Sequence, residues 1–329
     1  MNNFKLIAFI VLLAGCSSES SQIKFESLLD SEWSKIVNDN PVYASSMGDL
    51  SRNTEWSDTS VENIYTEHQH QLGVLNLLDG LDASDFTEDN KVNYLLFKQQ
   101  YENSIESHNY KTFLIPFSHR GGIQLQHETT SIVPLRNKQH YLDWIERISK
   151  IDVLVDAAIE KAKIGIAEEI VPPRFLMQKV YKQIELQAFI EPKDSPFYRV
   201  FLEMDRSIDN LETEEIKKKA LAVIKSNVIP AYIKLHRFFK DEYLPACRTS
   251  IGIKEIKNGK EYYEFLARKF TTTNLTPQEI HEIGLTEVAR IRDEMDAIIK
   301  EVKWDGTFKS FLDDLRTNPK FYYETSEEL

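Results

Sequence analysis

Residues 276–302 read TPQEIHEIGLTEVARIRDEMDAIIKEV, and this stretch decides the fold class. Thr276 provides an N-cap hydroxyl, Pro277 suits the first helical turn, and Glu279 completes a capping box. A single apolar stripe follows, made of Ile280, Ile283, Val288, Ile291, Met295, Ile298 and Val302. Steps of mostly three or four residues predict a long helix that ends near residues 304–306.

Helical periodicity also dominates the chain before this stretch. Apolar residues recur at three- and four-residue steps in segments 25–36, 60–78, 92–99, 139–148 and 152–168. Pro172 and Pro173 open a further helix, because proline is tolerated in a first turn. Thr213 starts a long helix toward Arg248, and a kink is expected at Pro230. The sequence therefore predicts an all-α protein, built as an irregular array of many helices.

Residues 110–138 depart from this pattern. They contain Pro116, Gly121-Gly122 and Pro134, which interrupt helices. A brief alternation of apolar and polar residues at 123–125 is typical of a strand. This segment is predicted to be one long loop or a short hairpin.

The overall composition argues against several classes of protein. The chain has 329 residues, 42% of them hydrophobic, so it is long enough to bury a sizeable core. A formal charge of −12 repels phosphate backbones, and no nucleic-acid partner is expected. Two cysteines cannot form a disulfide framework, and the sequence contains no Gly-rich phosphate-binding loop.

The first sixteen residues follow the order of a bacterial lipoprotein signal. Lys5 provides a positive charge, residues 6–13 form an unbroken apolar run, and Ala14-Gly15 precede Cys16. The run is too short to span a bilayer and has the length of a signal-peptide core. The pattern resembles the lipoprotein box, which implies that residues 1–15 are removed and that the Cys16 sulfur is lipidated with a diacylglycerol. The alternative is a plain secretory signal or a short buried segment, in either of which Cys16 has no role.

Residues 16–24 are predicted to be a polar tether, because 17–21 are serines and one glutamate. Two or more acyl chains give stable anchoring where one chain would be marginal. The residue after the cysteine is Ser17 and not aspartate, which resembles the pattern in outer-membrane lipoproteins of Gram-negative bacteria. We therefore expect a helical domain over residues 25–329, anchored through Cys16 to the outer membrane and facing the periplasm.

The histidines provide only half of a zinc-binding motif. A zinc-peptidase helix needs His-Glu-x-x-His, because a four-residue step places both imidazoles on one helix face. His127-Glu128 is followed by Ser131, and His281-Glu282 is followed by Leu285, so each lacks its second histidine. Neither pair is therefore expected to bind a metal.

Other groups that could carry chemistry also have simpler explanations. His68 and His70 are two residues apart, and such residues do not face each other on a helix. His119-Arg120 could meet a carboxylate or a peptide terminus, but a solvated turn is the simpler and favoured explanation. Cys247 would be left without an intrachain partner if Cys16 is acylated, and an isolated thiol of this kind is usually buried and inert. The tyrosine and phenylalanine runs favour core packing over a ligand site.

The last residues contain another helix start. Asn318-Pro319 ends the preceding helix, and residues 325–328 form a capping box with acidic groups that suit a helix N-terminus. The sequence given stops at Leu329, before a helix could follow. The pattern fits either a truncated domain or a frayed polar tail.

Several stretches together resemble the bacterial family catalogued as domain of unknown function 885. The most specific block is TTTNLTPQEIHEIGL at 271–285, continued by VARI at 288–291. Shorter pieces precede it in the same order: Asn40-Pro41 with Gly48-Asp49, then 56–60, 116–122, 141–147, 241–248 and 259–263. The resemblance runs from about Phe25 to Leu329.

This resemblance implies a function that the residues alone do not show. Family members look like helical zinc metallopeptidases of the gluzincin kind, with a deep channel through an α-helical body. Their His-Glu-x-x-His motif and the glutamate that completes the metal site belong to a C-terminal half that this sequence lacks. The chain is thus expected to be the N-terminal half, with no catalytic, cofactor-binding or metal-ligating residue of its own. Zinc and a peptide substrate are implied only for the intact parent.

Two other interpretations are compatible with the residues. One is a non-catalytic helical lipoprotein whose acidic, aromatic-lined groove binds peptides or a cell-envelope partner. The other is a structural lipoprotein with no ligand. A coding frame that continues past Leu329 and contains His-Glu-x-x-His would favour the enzyme over both.

Overall fold

The structure, a computed structural model, describes residues 20–328. Regular structure within this range is helical, and no β-sheet forms there beyond two isolated backbone bridges, Ser118–Gly121 and Pro173–Arg248. The predicted all-α class is confirmed. The chain divides into two compact units, Met1–Gly259 and Lys260–Leu329.

The α-helices are numbered along the chain. Those of the first unit are α1 (Ser21–Asp39), α2 (Pro41–Met47), α3 (Val61–Asp79), α4 (Glu88–Asn109), α5 (Lys138–Ser149), α6 (Ile151–Ala167), α7 (Arg174–Ala188), α8 (Asn210–Val223), α9 (Ile229–Phe238) and α10 (Leu244–Ala246). The remaining helices are α11 (Gly259–Thr271), α12 (Pro277–Glu301) and α13 (Phe308–Thr317). Short 3-10 turns connect several of them. None of the helices within 20–328 is both long enough and apolar enough to cross a bilayer.

Helices α1, α3 and α4 enclose a small aromatic-rich core. Their N-caps are Ser20, Ser60 and Thr87, whose hydroxyl oxygens accept the amide hydrogen three residues later at 3.1–3.3 Å. The core consists of Phe25, Val74, Leu78, Phe86, Tyr94 and Tyr101. Helix α1 begins at Ser21, inside the stretch 16–24 that the sequence predicts to be a tether.

A larger core joins α5 to α10. Its largest buried side chains include Trp144, Phe197, Phe201, Tyr232 and Tyr243. Gly165 on α6 allows close approach of the chain, because a Cβ there would lie 2.7 Å from the Leu114 carbonyl oxygen. The 3-10 turn Thr112–Leu114 can therefore pack directly against α6.

The predicted long helix is continuous from Asn210 to Ala246 but contains two π-helical turns. They span Ile224–Val228 and Phe239–Tyr243, and each ends two residues before a proline. The Ile229 amide donates to the Ile224 carbonyl, five residues back, just before Pro230. A wider turn at this point eases the clash between a proline ring and the preceding turn. The predicted start was wrong, because Asp209 rather than Thr213 caps the helix and accepts the Glu212 amide at 2.9 Å.

The segment 110–138 is a loop with 3-10 turns, and the hairpin alternative is excluded. The alternating residues at 123–125 belong to the 3-10 turn Ile123–Ser131. A tight turn at Ser118–Gly121 precedes it, with backbone bonds of 3.2 and 3.3 Å. Gly122 follows at φ 119°, a conformation that favours glycine.

The second unit confirms the helix predicted from residues 276–302, which spans Pro277–Glu301. The Thr276 hydroxyl accepts the Glu279 amide at 3.2 Å, and the Glu279 carboxylate accepts the Thr276 amide at 2.7 Å. Helix α13 meets α12 through the Arg292 guanidinium, 3.7 Å from the Phe308 ring centroid. From residue 266 to 328, the last described position, no side chain is buried. The apolar stripe of α12 is therefore open to solvent.

Candidate functional site

The predicted lipidation site lies outside the described residues. Cys16, the signal segment 1–15 and the following residues 17–19 all precede Ser20, where the description begins. Their assignment therefore remains a prediction from sequence.

The two half-motifs stand in different surroundings. His127 lies on the 3-10 turn Ile123–Ser131, where its Nδ1 is 3.1 Å from the Gln187 amide nitrogen and its ring meets Phe197 edge-on. Burial lowers the pKa of His127, which favours the neutral ring. His281 is exposed on α12. The neighbouring Glu282 carboxylate accepts a hydrogen bond from the Gln278 side chain, one turn earlier in the same helix, at 2.9 Å. Within residues 20–328, no three His, Cys, Asp or Glu side chains gather in a way that could hold a metal ion.

His68 and His70 diverge on α3, as their helical spacing predicts. The His68 ring stacks on His108 of α4, with centroids 3.8 Å apart and an interplanar angle of 8°. Burial, followed by the charge that His68 would carry, lowers the pKa of His108. His70 instead turns toward α1, with its Nε2 at 3.0 and 2.9 Å from the two carboxylate oxygens of Glu32.

Glu32 is the centre of a polar cluster that sequence reasoning missed. It is buried, and it accepts a 2.5 Å hydrogen bond from the Tyr101 hydroxyl in addition to its contacts with His70. Burial and this bond raise the pKa of Tyr101. The cluster joins α1, α3 and α4 around one carboxylate. The sequence does carry a signal for this cluster. Glu32 follows Leu29 by three positions and Leu28 by four, so an acidic residue lies on the apolar face of α1.

The side-chain amides of Gln124, which is buried, and Gln183, which is half-buried, hold the backbone of the His119-Arg120 turn. The Gln124 side-chain nitrogen donates to the Ser118 carbonyl at 2.6 Å and to Gly121 at 3.2 Å. The Gln183 side chain donates to the His119 carbonyl at 3.2 Å. Both tip side chains are exposed, and the structure places a fixed turn there.

Cys247 is buried, and burial raises the pKa of its thiol to about 12. A thiol with so high a pKa is almost entirely protonated at neutral pH, and the thiolate is the reactive species. The structure therefore agrees with an inert buried cysteine and argues against a thiol nucleophile.

Arg147 is a second buried group that the sequence did not single out. It lies on α5, donates to the Ser45 hydroxyl oxygen of α2 at 2.9 Å, and sits 5.7 Å from the Trp56 ring centroid. The Trp56 indole in turn donates to the Arg147 carbonyl at 2.7 Å. Burial lowers the pKa of Arg147 to about 10, which leaves it charged at neutral pH. These contacts fasten the segment after α2 onto the large core.

An open cleft of about 580 Å³ lies beside this junction. Ser45, Ser46, Thr130 and Ser131 line it together with Arg136 and His140. All four hydroxyls donate to backbone carbonyls at 2.7–2.9 Å, so they offer lone pairs rather than protons to a ligand. No serine, threonine or cysteine within the described part bonds a histidine base. The cleft can hold a small polar ligand, and none of its four hydroxyls is paired with a histidine base as a covalent nucleophile would be.

Comparison with known families explains the sequence blocks. Residues 41–329 match the sequence model of a family described as "Bacterial protein of unknown function (DUF885)". The chain belongs to the DUF885 family. The match begins at Pro41, so Glu32 precedes it, whereas Arg147 and the cleft lie inside it.

A crystal structure supports the fold of this DUF885 protein. The chain is similar to a protein of Colwellia psychrerythraea described as "the putative lipoprotein", with 22% identity and a TM-score of 0.81. The similarity covers 94% of this chain and 56% of the Colwellia chain, so the chain spans little more than half the length of that protein. At this identity the likeness shows the fold. No curated protein matches the sequence.

Proposed function

We propose that this DUF885 chain is the N-terminal portion of an exported, lipid-anchored protein of the zinc metallopeptidase kind, and that it is inactive at this length. The observation that carries the proposal is the second unit, in which no side chain from 266 to 328 is buried. A 25-residue amphipathic helix such as α12 gains most of its stability by packing its apolar face. An exposed apolar face on α12 is therefore expected if further polypeptide packs against it in the intact protein.

The coverage of the Colwellia protein supports the same proposal. Only 56% of the Colwellia chain corresponds to this one. Under the proposal, the rest of the Colwellia chain corresponds to a C-terminal portion of the intact protein. The metallopeptidase assignment itself rests on the family resemblance of the sequence blocks. In such a protein, bound zinc would polarise a peptide carbonyl and activate a water molecule.

The residues described here do not fit a zinc site. His127 is bonded to Gln187, His70 to Glu32, and His68 is stacked on His108. No step of peptide hydrolysis is therefore assigned to them. Under this proposal, they shape and stabilise one wall of the protein, and the metal ligands lie in the portion that follows.

The coding frame after Leu329 is the first test. We expect it to stay open and to encode His-Glu-x-x-His. Zinc content and peptidase activity should then be measured for the 329-residue chain and for the extended protein. The extended protein is expected to hold stoichiometric zinc and the shorter chain none. A natural stop codon after Leu329, or stoichiometric zinc in the shorter chain, would contradict the proposal.

Lipid anchoring is tested separately. Cys16→Ser is expected to abolish acylation, detected as a loss of mass, and to move the protein from the membrane fraction to the soluble one. Cys247→Ser is the matched control, because Cys247 is buried and cannot accept a lipid in the folded protein. Unchanged membrane partitioning of Cys16→Ser would overturn the anchor.

A further inference from the structure

Helix α4 is apolar on two opposite faces. Its inner face places Tyr94 and Phe97 against Phe25, with ring centroids 5.7 and 6.1 Å apart. Its outer face carries Val92, Leu95 and Leu96, which are 56%, 63% and 60% exposed. Residues three and four apart are neighbours on a helix, so these three side chains form one continuous ridge. We call them the α4 ridge.

The ridge lies close to the point where the N-terminal segment enters the fold. The Asp82 amide donates to the Ser21 hydroxyl oxygen at 3.1 Å, and the Thr87 amide donates to the Gln22 side-chain oxygen at 3.1 Å. The Asn90 side chain then donates to the Glu26 carboxylate at 2.8 Å. These bonds hold the first turn of α1 against the start of α4.

The chain length before α1 limits how far a lipid at Cys16 can be from this point. Five residue steps separate Cys16 from Ser21, and an extended chain of that length spans at most about 17 Å. Along α4, Leu96 stands nine residues after Thr87, a rise of about 14 Å. The ridge faces away from α1, so a helix width of about 10 Å is added across this rise, and the resulting distance of about 17 Å equals the reach of the extended segment. A membrane that holds Cys16 can therefore meet the ridge.

We propose that the α4 ridge docks into the interfacial layer of the membrane that holds the lipid anchor. This inference rests on the proposed acylation of Cys16. Three aliphatic side chains expose far less area than the roughly 1,200 Å² that a stable protein interface buries. A lipid surface needs no matched shape, so a ridge of this size is sufficient for it.

Charge decides which kind of membrane should bind. Glu88 and Asp89 open α4 before the ridge, while Lys91 is paired with Glu88 at 2.9 Å. Lys98, the next lysine of α4, is paired with Asp79 at 2.6 Å, so the described part of α4 offers no free cationic cluster beside the ridge to attract anionic lipids. Docking is expected on zwitterionic phosphatidylcholine, driven by burial of the three side chains. The acyl chains hold the protein on the membrane, and the ridge sets the face that it presents.

A site-specific probe tests this orientation. In the acylated protein, Leu95→Cys is labelled with a nitrobenzoxadiazole fluorophore and bound to phosphatidylcholine vesicles that contain brominated lipid. Leu211→Cys on α8 is the matched control, since Leu211 is 81% exposed and also lies in the first unit. Cys247 is buried and should take up little label. Quenching is expected to be at least twofold stronger at position 95 than at position 211.

The outcomes separate the docking face from the anchor. Equal quenching at both positions on vesicle-bound protein would overturn the docking face and leave the anchor intact. A blue-shifted label at position 95 before vesicles are added would mean that a second copy or another protein covers the ridge, which also overturns the inference. Absence of acylation by mass, with no vesicle binding, would refute the anchor and the docking together.

Discussion

The two units differ in how their apolar residues are used. Unit Met1–Gly259 buries a large core at α5–α10 and a smaller one among α1, α3 and α4. Unit Lys260–Leu329 forms α12 with a complete capping box, yet its apolar stripe is exposed. The comparison shows that capping and periodicity mark where a helix lies but not whether its apolar face is buried. Burial of that face requires a partner surface, and none covers the stripe of α12 within the described residues.

The largest difference should appear when apolar side chains are truncated. Phe197→Ala removes a fully buried ring from the large core and is expected to lower the free energy of unfolding by about 3–5 kcal/mol. Ile298→Ala on α12 is the matched change, and at 53% exposure it should cost less than about 0.5 kcal/mol. Urea unfolding followed by circular dichroism measures both. Comparable losses would mean that the second unit has a core after all.

A smaller effect should distinguish a fully buried charge from a half-buried one within the first unit. Glu32→Gln keeps the shape but removes the charge that binds His70 and Tyr101, and about 2 kcal/mol of unfolding free energy should be lost. Glu67→Gln removes one charge from a half-buried ion pair with Lys35 but keeps an oxygen that can accept from the lysine, and it should cost less than about 1 kcal/mol. The same unfolding experiment applies. If the two variants are equally stable, the Glu32 cluster does not hold the small core together.

In the second unit, the stability of α12 should depend on its N-cap more than on core packing. Thr276→Ala removes the N-cap oxygen of α12 and is expected to destabilise the helix by about 1 kcal/mol. Hydrogen exchange of the first-turn amides reports this loss directly. Thr286→Ala, in the exposed middle of α12, is the control and should leave those amides protected. Faster exchange in both variants would argue against a specific capping effect.

The smallest expected effect is a pH dependence that arises in the large core. Burial lowers the pKa of His127 from the ordinary value of 6.5, so the folded protein resists a proton that the unfolded chain accepts. Stability should be unaffected above that value and should fall as the pH drops below it. His127→Gln is expected to make the decline between pH 7 and pH 5 shallower. Gln126→Ala, which removes no titrating group, should leave the slope unchanged, and an equal slope in all three proteins would contradict the prediction.

Local signals predicted many elements well. The segment 60–78 corresponds to α3 at Val61–Asp79, and Ser60 is its cap. The capping box at Thr276 is present as expected, because both of its hydrogen bonds form within four consecutive residues. Such contacts depend on neighbouring residues alone, and sequence reasoning reaches them directly.

Other features depended on residues far apart in the chain. The stripe Val92, Leu95, Leu96 and Gln99 correctly marks a helix, but the fold buries the opposite face of α4 through Tyr94 and Tyr101. The π turns before Pro230 and Pro245 were not predicted, because periodicity does not distinguish a wider turn from a kink. Of the candidate site, the buried position of Cys247 was predicted, whereas the Glu32 cluster and Arg147 were not.

The sequence by itself determined that this protein is helical, where several helices begin, and that the DUF885 pattern runs to its last residues. These conclusions rest on hydrogen bonds and periodicity within single helices, which adjacent residues establish. Only the tertiary structure decided which apolar faces are buried, that Glu32 meets His70 and Tyr101, and that α12 remains open to solvent. Burial is a property of two surfaces in contact, and the sequence of one surface does not show whether the other is present.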